Sequence, residues 1–142
     1  METNIRLAET REDIARCFPV MVELRPHLTL DSFVEQVVRQ QQDGYHLAFV
    51  EHHGEVVTCG GYRYSENLAW GRFLYVDDLV TASSARSQGH GDLLFDWLVA
   101  QAREAGCAQF QLDSGVQRFG AHRFYLRKRM DITSHHFGLK LS

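Results

Sequence analysis

The stretch of sequence that decides the fold reads Asp77-Asp-Leu-Val-Thr-Ala-Ser-Ser-Ala-Arg86-Ser-Gln-Gly89-His-Gly91-Asp-Leu-Leu94. The segment from Arg72 to Thr81 is largely apolar, which predicts a buried strand leading into this polar loop. A periodic helix is predicted to follow from about Gly91 to Ala105. Gly89 and Gly91 allow the backbone to approach a ligand closely and to adopt positive φ angles. Because the first amides of a helix lack intrahelical partners and lie at its positive end, the loop is predicted to bind an anion such as a pyrophosphate.

Two common phosphate-binding motifs do not fit this loop. The P-loop requires Gly-Lys-Ser/Thr, whereas Gly89 is followed here by His, Gly and Asp, without the lysine or the magnesium-binding hydroxyl. The dinucleotide fingerprint requires glycine or alanine where Leu94 stands, and it expects a βαβ unit at the start of the fold. The residues therefore exclude both motifs, while Arg86 adds a mobile positive charge to the loop.

The chain before the loop predicts one strand, two helices and a meander of strands. Asn4 to Ala8 is a short strand candidate, and helices are predicted to begin at Thr10 and at about Thr29 or Asp31. Pro19 is expected to kink or restart the first of these helices. Beyond Asp43-Gly44, two strands joined at His53-Gly54 predict a hairpin.

The chain after the loop predicts a crossover. Gln109 to Asp113 is a strand candidate, Phe119 to Lys128 a helix, and Asp131 to Leu141 a last strand or strand pair. The fold class is therefore α/β, with a mixed central sheet built from an antiparallel meander and then a crossover, flanked by helices. We find no linker or repeat in the 142 residues and expect a single domain over residues 1–142.

Composition excludes several classes of protein. The net charge of -3 and the pI near 6.2 do not fit a nucleic-acid binder. The three cysteines form no Cys-x-x-Cys pair, which argues against a disulfide framework or a structural zinc site. The first residues lack the apolar run of a signal peptide, and no segment approaches a membrane span, so we expect a cytoplasmic protein.

Two motifs resemble those of the GNAT superfamily of acyl-CoA-dependent N-acyltransferases. The family signature Arg/Gln-x-x-Gly-x-Gly/Ala matches the six residues from Arg86 to Gly91 position for position. A downstream pattern, Asn-x-x-Ala-x-x-x-Tyr, is matched at Ala121 and Tyr125, whereas Arg118 replaces the asparagine. The predicted order of elements is also similar to that of the family over nearly the whole chain.

The resemblance implies that acetyl-CoA is the acyl donor, without a metal, and that an amine is the acceptor. In the family, the strand before the loop and the loop itself hold the donor. The residues implied to bind it here are Leu79, Val80, Arg86, Ser87, Gln88, Gly89, His90, Gly91 and Asp92. Tyr125 is implied to protonate the leaving thiolate, although a tyrosine in this position is also typical of core packing.

Acyl transfer requires a neutral amine, so a base or a chain of waters must remove a proton. Asp77 and Asp78 lie on the strand that leads into the loop, and strand alternation predicts that at most one of them faces the cleft. The resemblance places the catalytic carboxylate at Asp77. A strand-end charge or a helix-cap partner remains the alternative role for either aspartate.

The adjacent histidine pairs, His52-His53 and His135-His136, should point to opposite faces of strands and are not expected to chelate a metal. The side chain of His90 is expected to face solvent.

We predict an N-acetyltransferase that acts on a primary amine of a small molecule or peptide; the alternative is an acyl-CoA-binding regulatory or interaction module without turnover. An apolar final strand through Phe137 is a possible site of homodimer pairing.

Overall fold

A computed structural model describes residues 2–142. Within these residues the chain forms five strands, four α-helices and one short 3-10 turn. In chain order they are β1 (Thr3–Leu7), α1 (Arg11–Leu24), α2 (Leu30–Gln42), β2 (Tyr45–His52), β3 (Glu55–Asn67), β4 (Gly71–Thr81), the 3-10 turn (Ser83–Ala85), α3 (His90–Glu104), β5 (Gln109–Leu112) and α4 (Phe119–Arg127). The predicted α/β class is confirmed.

The sheet is mixed, with its five strands in the order β1-β2-β3-β4-β5. The first three neighbouring pairs are antiparallel, which is the predicted meander. The chain then crosses over through α3 and returns to the far side of β4, where the Ala108 amide donates to the Arg72 carbonyl oxygen at 2.8 Å. The buried core lies where α1, α2 and α3 contact the sheet, and Phe49, Leu74 and Leu98 are fully enclosed there.

Local chemistry sets the beginnings of the first two helices. The Thr10 hydroxyl accepts a hydrogen bond from the Asp13 amide at 3.1 Å, and Thr29 forms a reciprocal capping box with Ser32. Both predicted starts are confirmed. Pro19 lies inside α1, which continues through it, so the expected restart of the helix does not occur.

The final strand predicted over Asp131 to Leu141 is wrong. This segment has no regular secondary structure in the described chain, and the side chains of Phe137, Leu139 and Leu141 are 85–92% exposed. Alternating apolar residues would form one apolar face if the segment were a strand. A strand also requires a neighbouring backbone to pair with, and the alternation does not provide one. Homodimer pairing through this segment stays a prediction.

By its contacts the chain divides into two units, one ending at Gln111 and the other covering Leu112–Ser142. The single domain expected over residues 1–142 stays a prediction. None of the helices in the described part of the chain combines the length and the apolar content that a bilayer crossing requires.

Candidate functional site

The glycine loop connects β4 to α3 through a series of exposed residues with unusual backbone angles. Residues 86–89 are exposed; Ser87 has φ of 66° and Gly89 has φ of 85°. Gly89 is therefore the residue that needs to be glycine for conformational reasons. The expectation of a positive φ at Gly91 is wrong, because Gly91 lies within the first turn of α3 in helical conformation.

The loop leaves the start of α3 open to solvent. The first helical hydrogen bond runs from the Leu93 amide to the Gly89 carbonyl oxygen, and within residues 2–142 no side chain caps this helix. A Cβ atom built on Gly89 would meet no described atom within 4 Å. The amides before Leu93 therefore lie at the positive end of a 15-residue helix with open space beside Gly89, which is an arrangement that fits a phosphate group.

Glu23 of α1 holds the beginning of this loop. Its carboxylate accepts a hydrogen bond from the Ser83 amide at 3.0 Å and lies 3.6 Å from a terminal nitrogen of Arg86. The Arg86 Nε also donates to the Thr81 carbonyl oxygen at 3.3 Å. The Arg86 guanidinium is thus mostly exposed but drawn toward α1 by one carboxylate.

His90 is buried, so the expectation that its side chain faces solvent is wrong. It is 6% exposed, and its ring centroid lies 4.8 Å from that of His52 at the end of β2. Among the described residues its Nε2 has no hydrogen-bond partner. Desolvation lowers the pKa of His52, and the neighbouring His53 and His90 imidazoles lower it further. No group of three or more candidate ligands in the described chain could hold a metal ion.

A β-bulge in β4 places two adjacent aspartates beside one cleft. Gly61 pairs with Asp78 and Tyr62 pairs with Val76, so Asp77 is an extra residue without a partner of its own in the register. Both Asp77 and Asp78 line a polar cleft of about 470 Å³. The expectation that alternation separates their side chains is therefore wrong, because the bulge breaks the alternation at this point.

The two aspartates have different partners. Arg63 on β3 donates to both oxygens of Asp77, at 2.7 and 2.9 Å. Asp78 accepts from the Tyr45 hydroxyl at 2.8 Å and, on its other oxygen, from the Arg25 Nε at 3.0 Å. Arg25 also donates to the Asp77 carbonyl oxygen at 2.9 Å, which fixes the bulge to the end of α1.

Sequence reasoning missed Tyr45, Arg25 and Arg63. The two residues that bind Asp78 lie 33 and 53 positions away in the chain, and no local pattern pairs them with it. A usable signal was the pair of glycines, Gly60 and Gly61, in the middle of a long strand, where glycine is typical of a bulge or a close approach.

The Tyr45 hydroxyl occupies the space that a side chain at residue 61 would take. A Cβ atom on Gly61 would lie 1.7 Å from this hydroxyl oxygen, so the residue must be glycine. Burial raises the pKa of Tyr45 well above its usual value, and the Asp78 charge raises it further. Tyr45 is therefore a neutral, permanent hydrogen-bond donor to Asp78.

Leu79 and Val80, which the sequence implicates in holding the donor, lie in β4 beyond the bulge and pair with Gly60 and Cys59. On the other side, β5 has only four residues, and the bond from Ala108 joins it to Arg72 at the opposite end of β4. The backbone edge of Leu79 and Val80 on that side lies beyond the reach of β5.

Tyr125 belongs to the second unit, where it lies on α4 and is buried. Burial raises its pKa, whereas the nearby Arg118 guanidinium acts to lower it. The arginine that replaces the expected asparagine therefore lies close enough to the tyrosine to influence its ionisation. Phe124 packs beside Tyr125, with ring centroids 5.5 Å apart.

A family model and two relatives agree on one family. A model described as the Acetyltransferase (GNAT) family matches residues 7–130. The "Uncharacterized N-acetyltransferase YhdJ" of Bacillus subtilis (strain 168) is 32% identical over 127 residues, which are 88% of this chain and 89% of that protein. The "Aminoalkylphosphonate N-acetyltransferase" of Salmonella typhimurium (strain LT2) is 28% identical over 122 residues, or 84% and 79% of the two chains.

A solved structure shows the same fold at low sequence identity. The aminoglycoside N-acetyltransferase AAC(6')-Iy in complex with CoA superposes with a TM-score of 0.87 at 11% identity, covering 98% of this chain and 94% of its own. At that identity the likeness concerns the fold alone.

Proposed function

We propose that this chain, which belongs to the GNAT family of acetyltransferases, transfers the acetyl group of acetyl-CoA to a primary amine of a small molecule or peptide. The observation that carries the proposal is the exposed, uncapped start of α3 behind the left-handed Gly89, on the fold that holds CoA in a structural neighbour. The names of both relatives describe N-acetyltransferases, which supports an amine acceptor.

In this proposal the loop holds the pyrophosphate of CoA and β4 holds the pantetheine arm. Amides from Gln88 to Asp92 bind phosphate oxygens, and Arg86 and Ser87 approach them from the loop. The imidazole of His90 is buried, so His90 contributes its backbone amide. Gly91 has no side chain, which lets a phosphate oxygen approach the backbone closely. The backbone edge of Leu79 and Val80 that faces away from β3 suits the amide groups of the pantetheine.

The reaction forms a bond between the amine nitrogen and the acetyl carbon and breaks the carbon–sulfur bond of the thioester. An acceptor that binds as an ammonium loses two protons, one before the attack and one as the amide forms. The CoA sulfur gains one proton and the other is released to solvent. Asp77 remains a candidate base, because each of its oxygens accepts one hydrogen bond from Arg63 and retains a further lone pair. Asp78 lines the same cleft as Asp77 and is held by neutral Tyr45, so we propose that Asp78 orients the amine and Asp77 accepts its proton directly or through water.

Tyr125 is proposed to protonate the departing sulfur. Its raised pKa keeps the phenol protonated at neutral pH, which a proton donor requires. Arg118 then has a role at this position that an asparagine cannot fill, because its positive charge stabilises a phenolate as the proton leaves.

Calorimetry with CoA tests the loop. We expect heat of binding for the native chain and a loss of affinity of about 100-fold or more for Gly89→Val, because valine is strained at φ of 85° and its side chain enters the space beside the loop. Gly71→Val is the matched control, since Gly71 has φ of 74° and equally open surroundings at the start of β4. Both variants should lose similar stability, but only Gly89→Val should lose CoA. If both variants bound CoA with equal affinity, the loop would be a chain turn without a role in CoA binding.

The charge of Glu23 should oppose CoA binding. Glu23→Gln keeps an oxygen for the Ser83 amide but removes a negative charge beside Arg86, so the affinity for CoA is expected to rise roughly threefold at low salt. Glu12→Gln, the same change in the first turn of α1, is the control. A weaker affinity of Glu23→Gln would mean that the carboxylate charge is needed to hold the loop in its binding conformation.

A further inference from the structure

A second, smaller cleft opens beside Asp78 and has a partly apolar lining. It encloses about 300 Å³ between α1, α2 and the sheet. Its apolar lining comes from Met21, Leu28, Phe33 and Val37. Its polar lining comes from Arg25, His27, Gln36, Gln40, Tyr45 and Asp78. The cleft is therefore at the small end of the size range of ligand pockets and combines apolar with polar lining.

The arginines that line the two clefts, Arg25 and Arg63, are already engaged by carboxylates. Arg63 makes a two-bond contact with Asp77, and Arg25 binds Asp78 and the backbone of the bulge. A carboxylate or phosphonate on a ligand would have to displace an aspartate from its arginine, and that aspartate would then lie unpaired in the cleft. Displacement of this kind costs the energy of a charge-assisted hydrogen bond and gains only a similar one.

The polar cleft also carries an excess of negative charge. Among the described residues that line it, three carboxylates (Asp43, Asp77 and Asp78) accompany the two guanidinium groups of Arg25 and Arg63. This excess attracts an ammonium group and repels a second anion on the same molecule. Each Asp78 oxygen accepts one protein hydrogen bond and retains a further lone pair for an amine.

We infer that the acceptor is a small primary amine with a compact apolar body and no anionic group, bound with its nitrogen at Asp78 and its body against Met21, Phe33 and Val37. The inference rests on the proposed acetyl transfer and narrows its acceptor. It separates this chain from an enzyme for aminoalkylphosphonates, whose substrates carry an anionic group beside the amine.

Three amines that share one ring test the inference. 2-Phenylethylamine has no anionic group, phenylalanine adds a carboxylate next to the amine, and phenylalaninamide adds the same bulk without charge. We expect kcat/KM for 2-phenylethylamine and phenylalaninamide to exceed that for phenylalanine by about tenfold or more. Asp43→Asn, which removes the excess charge, should reduce this preference about threefold, whereas Asp31→Asn at the start of α2 should leave it unchanged.

Calorimetric titration of each amine provides a readout that does not depend on turnover. Binding of 2-phenylethylamine and phenylalaninamide, together with rejection of phenylalanine, supports the inference. Turnover or binding of phenylalanine or 2-aminoethylphosphonate at the level of 2-phenylethylamine overturns it, and so does rejection of all three ring amines by a protein that binds CoA. By contrast, failure of the protein to bind CoA would contradict the proposed function. The amine titrations would still show whether the cleft binds amines without an anionic group in preference to phenylalanine.

Discussion

Replacing Gly61 with alanine is expected to lower the free energy of unfolding by about 3 kcal/mol, which corresponds to roughly 10 °C in the thermal midpoint. The new Cβ atom would lie 1.7 Å from the Tyr45 hydroxyl oxygen and 2.4 Å from Cζ of the same ring. The ring is rigid and buried, so it must move and give up its hydrogen bond to Asp78. Urea denaturation with two spectroscopic probes measures the change.

The neighbouring glycine supplies the control. A Cβ atom on Gly60 would lie 3.0 Å from a terminal methyl group of Leu94, which can rotate away, so Gly60→Ala should cost no more than about 1 kcal/mol. In a Tyr45→Ala background, Gly61→Ala should become similarly mild, because the two residues are coupled through contact. If Gly61→Ala were as stable as Gly60→Ala in the native background, the close contact between the Tyr45 hydroxyl and residue 61 would be contradicted.

Tyr125→Phe is expected to lower kcat about 100-fold, the usual scale for a positioned general acid. The substitution removes one hydroxyl and keeps the ring, so CoA affinity and the thermal midpoint should barely change. The measurement is steady-state turnover together with calorimetry and thermal unfolding of the same variant. Phe124→Leu, a change to the neighbouring residue that leaves the hydroxyl in place, is the control for disturbed packing of α4.

Two other outcomes would assign Tyr125 a different role. Turnover near that of the native protein would remove the hydroxyl from the mechanism and leave solvent to protonate the sulfur. A loss of about 1 kcal/mol of stability, with activity falling only in proportion, would make the role of the buried hydroxyl structural.

The features that the sequence predicted correctly are those that depend on neighbours in the chain. Thr10 and Thr29 cap helices through residues three positions away, and Gly89 sets the loop through its own φ angle. The meander follows from turn residues such as Gly54 between alternating strands, because turn and alternation are both local. These features were sufficient to identify the fold class.

The features that the sequence missed depend on contacts between distant segments. The bulge at Asp77 is a property of the register between β3 and β4, and a single strand read alone shows only alternation. The burial of His90 depends on packing against the end of β2. Likewise, the partners of Asp78 come from α1 and β2, so a sequence pattern around Asp78 does not reveal them.

The most direct test of the central claim is a balance of products. The protein is incubated with acetyl-CoA and a mixture of primary amines, and free CoA thiol and N-acetylated amine are quantified in the same sample. We predict one N-acetylated amine for each thiol released, at a rate that depends on the amine concentration and is abolished in Gly89→Val. Thiol release at the rate of the protein-free blank, from a protein saturated with CoA, would contradict catalysis and make the chain a CoA-binding module without turnover.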